Sequence, residues 1–235
     1  MITGGANGIG AAIARAFAAE GARVTILDID RRAGEAMAAE HGVSFIEGDV
    51  ADTEALRARV TAAGAFSILV NSAGVDQHGF FGETSPGQWR RWLAINLEAV
   101  FATTHAVLPA MQQARFGRLI NIASEAGRLG SRGGSVYAAA KGGVIAFTRS
   151  MARENARYAI TANVIAPGPI DTPMLRKAVT GGGERLLDGM KGATLLRRLG
   201  TPEEVAAAAV FLAGDAAGYI TGETLGVSGG MGIGA

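Results

Sequence analysis

The chain has 235 residues, of which 49% are hydrophobic and 18% charged, so it suits one large domain or two small ones with a buried core. Its 22 basic and 21 acidic residues nearly cancel, which argues against binding to nucleic acid or to a membrane surface through charge. Cysteine is absent, which excludes disulfides, thiolate metal sites and a cysteine nucleophile.

Targeting and metal-binding patterns are also missing from the sequence. No signal-peptide pattern opens the chain, and no apolar run is read as long enough to cross a bilayer. The three histidines, His41, His78 and His105, are scattered, so we expect no metal site. These features predict a cytoplasmic protein without a membrane or nucleic-acid partner.

Short apolar runs rich in β-branched residues alternate with longer helical stretches along the chain. The apolar runs suit strands that are covered on both faces, and those at 43–49 and 223–229 are the weakest of them. In chain order, the predicted elements are helix 9–20, strand 23–28, helix 31–41, strand 43–49, helix 52–63, strand 67–71, helix 87–114, strand 117–123, helix 136–157, strand 160–166, helix 202–213 and strand 223–229. The alternation predicts a single α/β domain with a parallel sheet wound on both faces by helices.

Two stretches depart from this regular alternation. Only Met1 and Ile2 precede the first glycine-rich turn, whereas a strand there normally needs about five residues, so either the chain begins earlier or this strand is stunted. Residues 172–200 form a long segment that contains TGGG (180–183). Such a segment is often a functional lid, although a surface insertion explains it equally well.

The glycine-rich turn ITGGANGIG (2–10) lies between the first strand and the first helix. Gly4, Gly8 and Gly10 leave no side chains in the turn, so the backbone and the N-terminus of the helix can approach a pyrophosphate. The next strand, RVTILD, ends in Asp28, 18 residues beyond Gly10. A carboxylate at that position can bind the hydroxyls of an adenosine ribose.

Asp28 favours NAD over NADP, because a carboxylate would repel the 2′-phosphate of NADP. The turn itself carries no Lys or Arg that would attract this phosphate. Arg31 and Arg32 follow closely and could reach a phosphate, but they also fit a solvated first helical turn. Asp28 could alternatively serve as a helix cap.

Tyr137 and Lys141 are four residues apart in YAAAK, with only alanines between them. On a helix this spacing places both side chains on one face. A nearby ammonium lowers the pKa of a phenol, which would make the pair suitable for acid–base chemistry. Taken alone, the pair also fits an ordinary buried Tyr and a solvated Lys.

Seven short motifs in chain order resemble those of the classical short-chain dehydrogenase/reductase family, and together they span nearly the whole chain. Ser72 stands where the family has a second Asn, which is the one departure within these motifs. The motifs are TGGANGIG (3–10), DV (49–50), NSAG (71–74), INL (95–97) together with NIAS (121–124), YAAAK (137–141) and APGPIDTPM (166–174). The resemblance implies a Rossmann-type sheet of about seven strands and a homotetramer.

The resemblance also implies the roles of individual residues. Tyr137 is expected to be the general acid or base, Lys141 to lower its pKa and bind the nicotinamide ribose, and Ser124 to bind the substrate oxygen. Asn96 is expected to hold a helix distortion and a water molecule, although a buried structural Asn would look the same in sequence. The implied cofactor contacts are Gly4, Asn7, Gly8, Ile9, Gly10, Asp28, Ile29, Asp49, Val50, Asn71, Ala73, Gly74, Tyr137, Lys141, Pro167, Gly168, Ile170, Thr172 and Met174.

The family's chemistry is hydride transfer between a secondary alcohol or ketone and a dinucleotide. Within the family, the sequence is most similar to 2-hydroxycyclohexanecarboxyl-CoA dehydrogenases, which use NAD, and to 3-oxoacyl carrier-protein reductases, which usually use NADPH. Gln77, His78 and Glu125 flank the expected pocket without an assigned role. Six basic residues could contact an anionic thioester carrier or simply be solvated: Arg128, Arg176, Lys177, Lys191, Arg197 and Arg198.

Three other classes of function compete with the NAD-dependent dehydrogenase. A non-catalytic NAD-binding sensor needs the glycine turn but has no use for Asn96, Ser124, Tyr137 and Lys141. An epimerase-like enzyme would have a different glycine spacing and a longer chain. An interaction protein could use the long helices near 87–114 and 136–157, which pair subunits in the family that the sequence resembles.

Overall fold

The computed structural model describes residues 1–77, 79–179 and 183–234. Seven parallel strands form one sheet in the order β3-β2-β1-β4-β5-β6-β7. The strands are β1 (Ile2–Thr3), β2 (Thr25–Asp28), β3 (Ser44–Glu47), β4 (Ile68–Asn71), β5 (Gly117–Ile122), β6 (Ile160–Pro167) and β7 (Thr224–Val227). This single α/β domain confirms the predicted fold class.

Helices cover both faces of the sheet. The described helices are α1 (Gly8–Ala19), α2 (Arg31–His41), α3 (Thr53–Ala62), α4 (Pro86–Leu93), α5 (Ala99–Ala114), α6 (Ala126–Leu129), α7 (Ser135–Asn155), α8 (Pro173–Val179), α9 (Glu184–Gly192) and α10 (Pro202–Ala213). The Thr201 side chain caps α10 by accepting from the Glu204 N–H, and the Glu204 carboxylate accepts from the Thr201 N–H.

The core has one layer on each side of the sheet because successive strand residues point to opposite faces. On one side, Ile120 of β5 packs in a cluster with apolar residues of α1, α2 and α10. On the other side, Leu119 packs with apolar residues of α3, α5 and α7. Both side chains are 1% exposed, which explains why the central strands read as continuous apolar runs.

The first strand is short but correctly placed. Ile2 and Thr3 pair with β2 on one side and with β4 on the other. The amino group of Met1 donates to the carbonyl oxygen of Ile68 at 2.8 Å and so continues the pairing by one residue. The carboxyl ends of β1, β4 and β5 therefore lie side by side, where this class of sheet places its ligand sites.

The segment 172–200 differs from its predicted form. It is not irregular, because α8 and α9 occupy most of the residues that the structure describes there. In α9, Leu187 and Met190 are partly buried three residues apart, which is a helical spacing. Residues 180–182 of TGGG lie outside the described residues, so the lid interpretation stays a prediction.

The predicted helix 87–114 is interrupted. A π-helical turn, Ala94–Glu98, separates α4 from α5. Among the described residues, the whole stretch Pro86–Ala114 is long and apolar enough to cross a membrane by length and composition alone, so the expectation that no run reaches that length is wrong. A core helix meets the same criteria, and apolar residues of α5 pack in the core against β4 and β5.

Candidate active site

Ser124 and Tyr137 meet at the carboxyl end of β5. Ser124 follows that strand, and Tyr137 is the third residue of α7. A hydrogen bond between the Ser124 side chain and the phenol lowers the pKa of Tyr137. Burial and the nearby charge of Asp76 act in the opposite direction and outweigh it, so the pKa of Tyr137 is raised to about 12. The phenol is therefore protonated at neutral pH and is ready to donate a proton.

This net direction follows from burial and from Asp76, and the expectation that Lys141 makes the phenol more acidic stays a prediction. Lys141 Nζ lies 5.7 Å from the centre of the Tyr137 ring and donates to the carbonyl oxygen of Ile122 at 3.0 Å. Burial lowers the pKa of Lys141 to about 8, although the charge of Asp76 acts to raise it. An ammonium that is itself destabilised by burial does not offset the desolvation of the neighbouring phenol.

Asn96 lies in the π-helical turn, as the resemblance implies for a residue that holds a helix distortion. Its amide nitrogen donates to the carbonyl oxygens of Val75 and Trp92, both at 3.0 Å, and its oxygen accepts from the Val75 N–H at 3.3 Å. The widened turn frees the Trp92 carbonyl oxygen for this contact. Asn96 thereby ties α4 to the loop that follows β4.

The loop at Gly74 passes between the side chains of Asn96 and Lys141. A Cβ atom at Gly74 would lie 3.0 Å from Asn96 Oδ1 and 3.5 Å from Lys141 Nζ. Any side chain there would occupy the space between the two polar groups. The NSAG motif thus ends in glycine because the loop passes between two predicted site residues.

Asp76 lies near the site residues but was not predicted from the sequence. Its charge raises the pKa of both Tyr137 and Lys141, and its Oδ1 accepts from the Gln77 N–H at 2.8 Å. The spacing of the motifs gives no signal for this proximity, because Asp76 is 61 residues from Tyr137 in the chain. The Asp76 carboxylate therefore places a negative charge near both Tyr137 and Lys141.

We expect Asp76→Asn to lower the pH at which alcohol oxidation accelerates. Oxidation needs the deprotonated phenol, so its rate rises with pH towards the pKa of Tyr137, which Asp76 raises. Reduction needs the protonated phenol and should begin to fall at lower pH in the variant. Rate–pH profiles in both directions test this. The control is Glu154→Gln, which removes a charge from α7 about 25 Å along the helix from Tyr137 and should shift neither profile. Equal profiles for Asp76→Asn and the native protein would contradict the assignment of Asp76.

Gln77 and Glu125, which have no assigned role in the sequence reading, are both buried. Gln77 accepts hydrogen bonds from the first turn of α7. Glu125 forms an ion pair with Arg128 at 3.3 Å and packs against Gly226 and Gly232, where a Cβ atom would clash with its carboxylate. His78 lies outside the described residues.

The glycine-rich turn is a cradle from which side chains are excluded. Gly4 and Gly8 have φ angles of +66° and +54°, a region that favours glycine. A Cβ atom at Gly10 would lie 2.1 Å from the Gly4 carbonyl oxygen, and one at Gly4 would lie 2.8 Å from Ala73 Cα. The backbone at the start of α1 is therefore open to a phosphate-bearing ligand, which fits a dinucleotide.

Asp28 closes the other side of this cradle. Its carboxylate accepts from the Ala6 N–H and from the Asp30 N–H, both at 3.0 Å. Asp30, not Asp28, caps α2 by accepting from the Ala33 N–H, so the alternative reading of Asp28 as the cap of that helix is wrong. Arg31 is paired with Glu35, in agreement with a solvated helical turn.

A cavity of about 320 Å³ lies between the glycine turn, Asp28 and the loop after β4. Thirteen of the predicted cofactor contacts line it: Gly4, Asn7, Gly8, Ile9, Gly10, Asp28, Ile29, Asp49, Val50, Ala73, Gly74, Thr172 and Met174. Six further lining residues were not predicted: Gly48, Ser72, Val75, Arg91, Ile95 and Pro173. The cavity reaches Gly74 and hence the side of the site where Lys141 and Asn96 lie.

Four predicted contacts lie away from this cavity, in addition to the catalytic Tyr137 and Lys141. Asn71 is 4% exposed, donates to Asn121 Oδ1 and accepts from Thr103, so its side chain links β4 to β5 and α5. Its side-chain amide is therefore used inside the core, and its assignment as a cofactor contact stays a prediction. The others are Pro167 at the end of β6, Gly168, which packs against Ser228, and Ile170, which belongs to the core.

Half of the cations in the predicted basic surface for a thioester carrier are paired with carboxylates. Three of its six cations have carboxylate partners at 3.3 Å or less, in the pairs Arg128–Glu125, Arg176–Asp171 and Arg198–Glu204. Arg197 donates to the Gly192 carbonyl oxygen. The alternative of ordinary surface residues therefore accounts for most of this set, and Lys177 and Lys191 remain as candidates.

Comparison with known proteins gives a match over the part of the chain that contains these site residues. The family described as enoyl-(acyl carrier protein) reductase matches residues 4–232. The chain belongs to the short-chain dehydrogenase/reductase family. It is thus an oxidoreductase that uses a nicotinamide cofactor and acts on CH–OH or keto groups.

Several named proteins align with this short-chain dehydrogenase/reductase over nearly its whole length. It is 40% identical to a 3-oxoacyl-[acyl-carrier-protein] reductase of Vibrio harveyi, over 98% of this chain and 96% of the relative. It is 39% identical to an acetoacetyl-CoA reductase of Shinella zoogloeoides, over 98% and 97% of the two chains. A 3-oxoacyl-[acyl-carrier protein] reductase of Brucella melitensis has a similar crystal structure, with a TM-score of 0.91, 36% identity, and coverage of 99% and 90%.

Proposed function

We propose that this enzyme reduces 3-oxoacyl thioesters, carried on CoA or on an acyl carrier protein, to the 3-hydroxy products. The observation that carries this proposal is the contact between Ser124 and the Tyr137 phenol at the carboxyl end of β5, which places two hydroxyl donors where a substrate carbonyl oxygen could bind. The named reductases that match nearly the whole chain support the same direction. Oxidation of a 2-hydroxycyclohexanecarboxyl-CoA, the first expectation from sequence, has less support.

The chain's own residues would act at the substrate's carbonyl oxygen. The bound cofactor supplies the hydride. Ser124 and Tyr137 would donate hydrogen bonds to the carbonyl oxygen, and the phenol would then transfer its proton to that oxygen. Lys141, kept cationic below a pH of about 8, would stabilise the phenolate that remains until the proton is replaced.

The cofactor would be held by the glycine turn and Asp28. Backbone N–H groups at the start of α1 would bind its pyrophosphate, and the Asp28 carboxylate would bind the adenosine ribose. We propose NAD(H) as the preferred cofactor because the carboxylate would repel a 2′-phosphate. Arg31, the nearest candidate partner for such a phosphate, is already paired with Glu35 at 2.8 Å.

We expect Asp28→Asn to reduce discrimination between NADH and NADPH, and Asp28→Ala to weaken NADH binding about tenfold or more. Asn keeps an acceptor for the Ala6 N–H but removes the charge, whereas Ala removes both. Fluorescence titrations with both cofactors measure the ratio. Asp52→Ala is the control, because it removes the cap of α3 at a cost of about 1 kcal/mol of stability, lies outside the cavity and should leave the ratio unchanged. An unaltered ratio in Asp28→Asn would show that the ribose contact is absent.

Subunit pairing is a further part of the proposal. An open groove of about 720 Å³ lies between α3, α5 and α7 and contains none of the predicted site residues. Phe101 is 40% exposed there and lies 4.6 Å from the ring of Phe147. We propose that this apolar surface contributes to a homotetramer, and sedimentation measurements would test the assembly.

Turnover assays distinguish the proposed function from its rivals. Purified protein would be mixed with NADH or NADPH and with acetoacetyl-CoA or an acetoacetyl carrier protein, and in the reverse direction with NAD and hydroxyacyl-CoA esters that include 2-hydroxycyclohexanecarboxyl-CoA. We expect the highest kcat/KM in the reduction of an acetoacetyl thioester. Faster turnover of the alicyclic ester would favour the dehydrogenase, and cofactor binding without any turnover would favour the sensor.

A further inference from the structure

Gln77 is a buried polar residue whose side chain contacts α7, the helix that carries Tyr137 and Lys141. It is 3% exposed and lies in the loop after β4. Its Oε1 accepts from the backbone N–H of Val136 at 2.8 Å and from that of Tyr137 at 3.2 Å. Because two N–H donors point at the same side-chain atom, that atom must be the oxygen. Gln77 thus reaches across 60 residues of chain to the first turn of α7.

This contact replaces a cap that α7 lacks. The first N–H groups of a helix have no partner within the helix and are usually satisfied by the side chain of the N-cap residue. In α7 the N-cap residue is Gly134, which has no side chain to offer. A Cβ atom at Gly134 would lie 2.7 Å from Ser131 Oγ, so a side chain there would require Ser131 to move. The acceptor for the first N–H groups of α7 comes instead from Gln77, in another part of the fold.

The loop that carries Gln77 is itself fixed to the start of α7. The Gly79 N–H donates to the Gly133 carbonyl oxygen at 3.1 Å, and Gln77 Nε2 donates to the Gly79 carbonyl oxygen at 3.2 Å. Gly79 and Gly133 have φ angles of +148° and +76°, which permit this close approach of two loops. The β4 loop and the first turn of α7 are consequently held as one unit.

Tyr137 lies within this first turn, whereas Lys141 lies one turn further on. Fraying of the first turn would displace the phenol relative to Ser124 but would leave the later turns of α7 in place. We infer that Gln77 is a positioning residue for Tyr137: its side-chain oxygen caps α7 and sets the place of the phenol, and this inference rests on the proposed function. A displacement of about 1 Å can reduce a rate about 100-fold.

Four variants test the role of the acceptor. Gln77→Met keeps the length of the side chain but removes the acceptor, and Gln77→Glu keeps the acceptor but removes the donation to Gly79. Gln112→Met is the matched control, because Gln112 Nε2 donates to Asn155 Oδ1 at 2.8 Å at the opposite end of the same helix. Gln77→Asn, one methylene too short to reach, serves if Gln77→Met does not fold.

We expect Gln77→Met to lower kcat about 10- to 100-fold with the Kd of the cofactor within twofold of its native value. The kinetic isotope effect with cofactor deuterated at the transferred position should increase, and amide exchange in a peptide covering 134–141 should be about fivefold faster, as the loss of one cap implies. Gln77→Glu should retain kcat within about threefold, and Gln112→Met should leave kcat and this exchange unchanged.

Several outcomes would overturn the inference. A kcat of Gln77→Met within twofold of the native value would do so, as would an equal loss in Gln112→Met or in Gln77→Glu. If the native protein turned over none of the substrates, the proposed function would fail, and amide exchange would still decide whether Gln77 caps α7. Unchanged exchange at 134–141 in Gln77→Met would then overturn the inference on its own.

Discussion

Replacing Tyr137 with Phe should lower kcat for carbonyl reduction by about 10²- to 10⁴-fold, the range associated with the loss of a general acid. The substitution removes one hydroxyl, which contacts Ser124, and leaves the ring in place. The Kd of the cofactor should stay within twofold, because the cavity by Asp28 does not include Tyr137. Single-turnover kinetics and a binding titration measure the two quantities separately.

Tyr158→Phe is the matched control for this substitution. Tyr158 is partly buried and its ring lies under the Arg157 guanidinium at 4.8 Å, outside the candidate site. Tyr158→Phe likewise removes one phenol hydroxyl, but outside the site, and should have no effect on kcat. Near-native kcat in Tyr137→Phe would remove the phenol from the chemistry.

Replacing Lys141 with Met should lower kcat about 100-fold or more and should also change how stability depends on pH. The pKa of Lys141 is lowered from 10.5 to about 8 by burial. Between these pH values the unfolded chain binds a proton that the folded protein has lost, so the stability of the native protein rises with pH over this window. The rise amounts to about 3 kcal/mol in full.

Urea unfolding of Lys141→Met and of the native protein from pH 7 to pH 10 isolates this effect. The free-energy difference between them should shift steadily in favour of the native protein above pH 8. Arg149→Met, which removes an exposed cation from the same helix, should show no such shift and should keep its activity. Parallel stability curves for Lys141→Met and the native protein would mean that Lys141 stays fully charged in the folded state.

The sheet and the main site motifs could be predicted because their signals are local. Apolar runs of β-branched residues identify buried parallel strands, and the glycine spacing of residues 4–10 reflects a turn in which a Cβ atom at Gly10 would meet the Gly4 carbonyl oxygen. The spacing of Tyr137 and Lys141 likewise follows from the helical repeat. Each of these features is contained in about ten consecutive residues.

The features that were missed depend on contacts between distant parts of the chain. Asp76 affects Tyr137, and Gln77 caps α7, only because β4 and β5 are neighbours in the sheet. The direction of the pKa shift of Tyr137 depends on burial, which spacing does not reveal. The use of the Asn71 amide by Asn121 and Thr103 inside the core was likewise not visible in its motif.

The helices of segment 172–200 were missed for a different reason. α8 has seven residues and α9 has nine, and both are largely exposed, so the apolar periodicity that identifies longer helices is weak. Thr172, Pro173 and Met174 at the start of this segment line the cavity next to the glycine turn. A role of the segment in covering the substrate therefore remains a proposal.

A crystal structure with the oxidised cofactor and an unreactive 3-oxoacyl thioester analogue would test the central claim most directly. The expected result is a carbonyl oxygen within about 2.6–3.2 Å of both Tyr137 Oη and Ser124 Oγ, with the dinucleotide along the glycine turn and Asp28. A carbonyl oxygen that contacts neither hydroxyl, in a complex whose dinucleotide occupies that cavity, would contradict the assignment of Tyr137 as the proton donor.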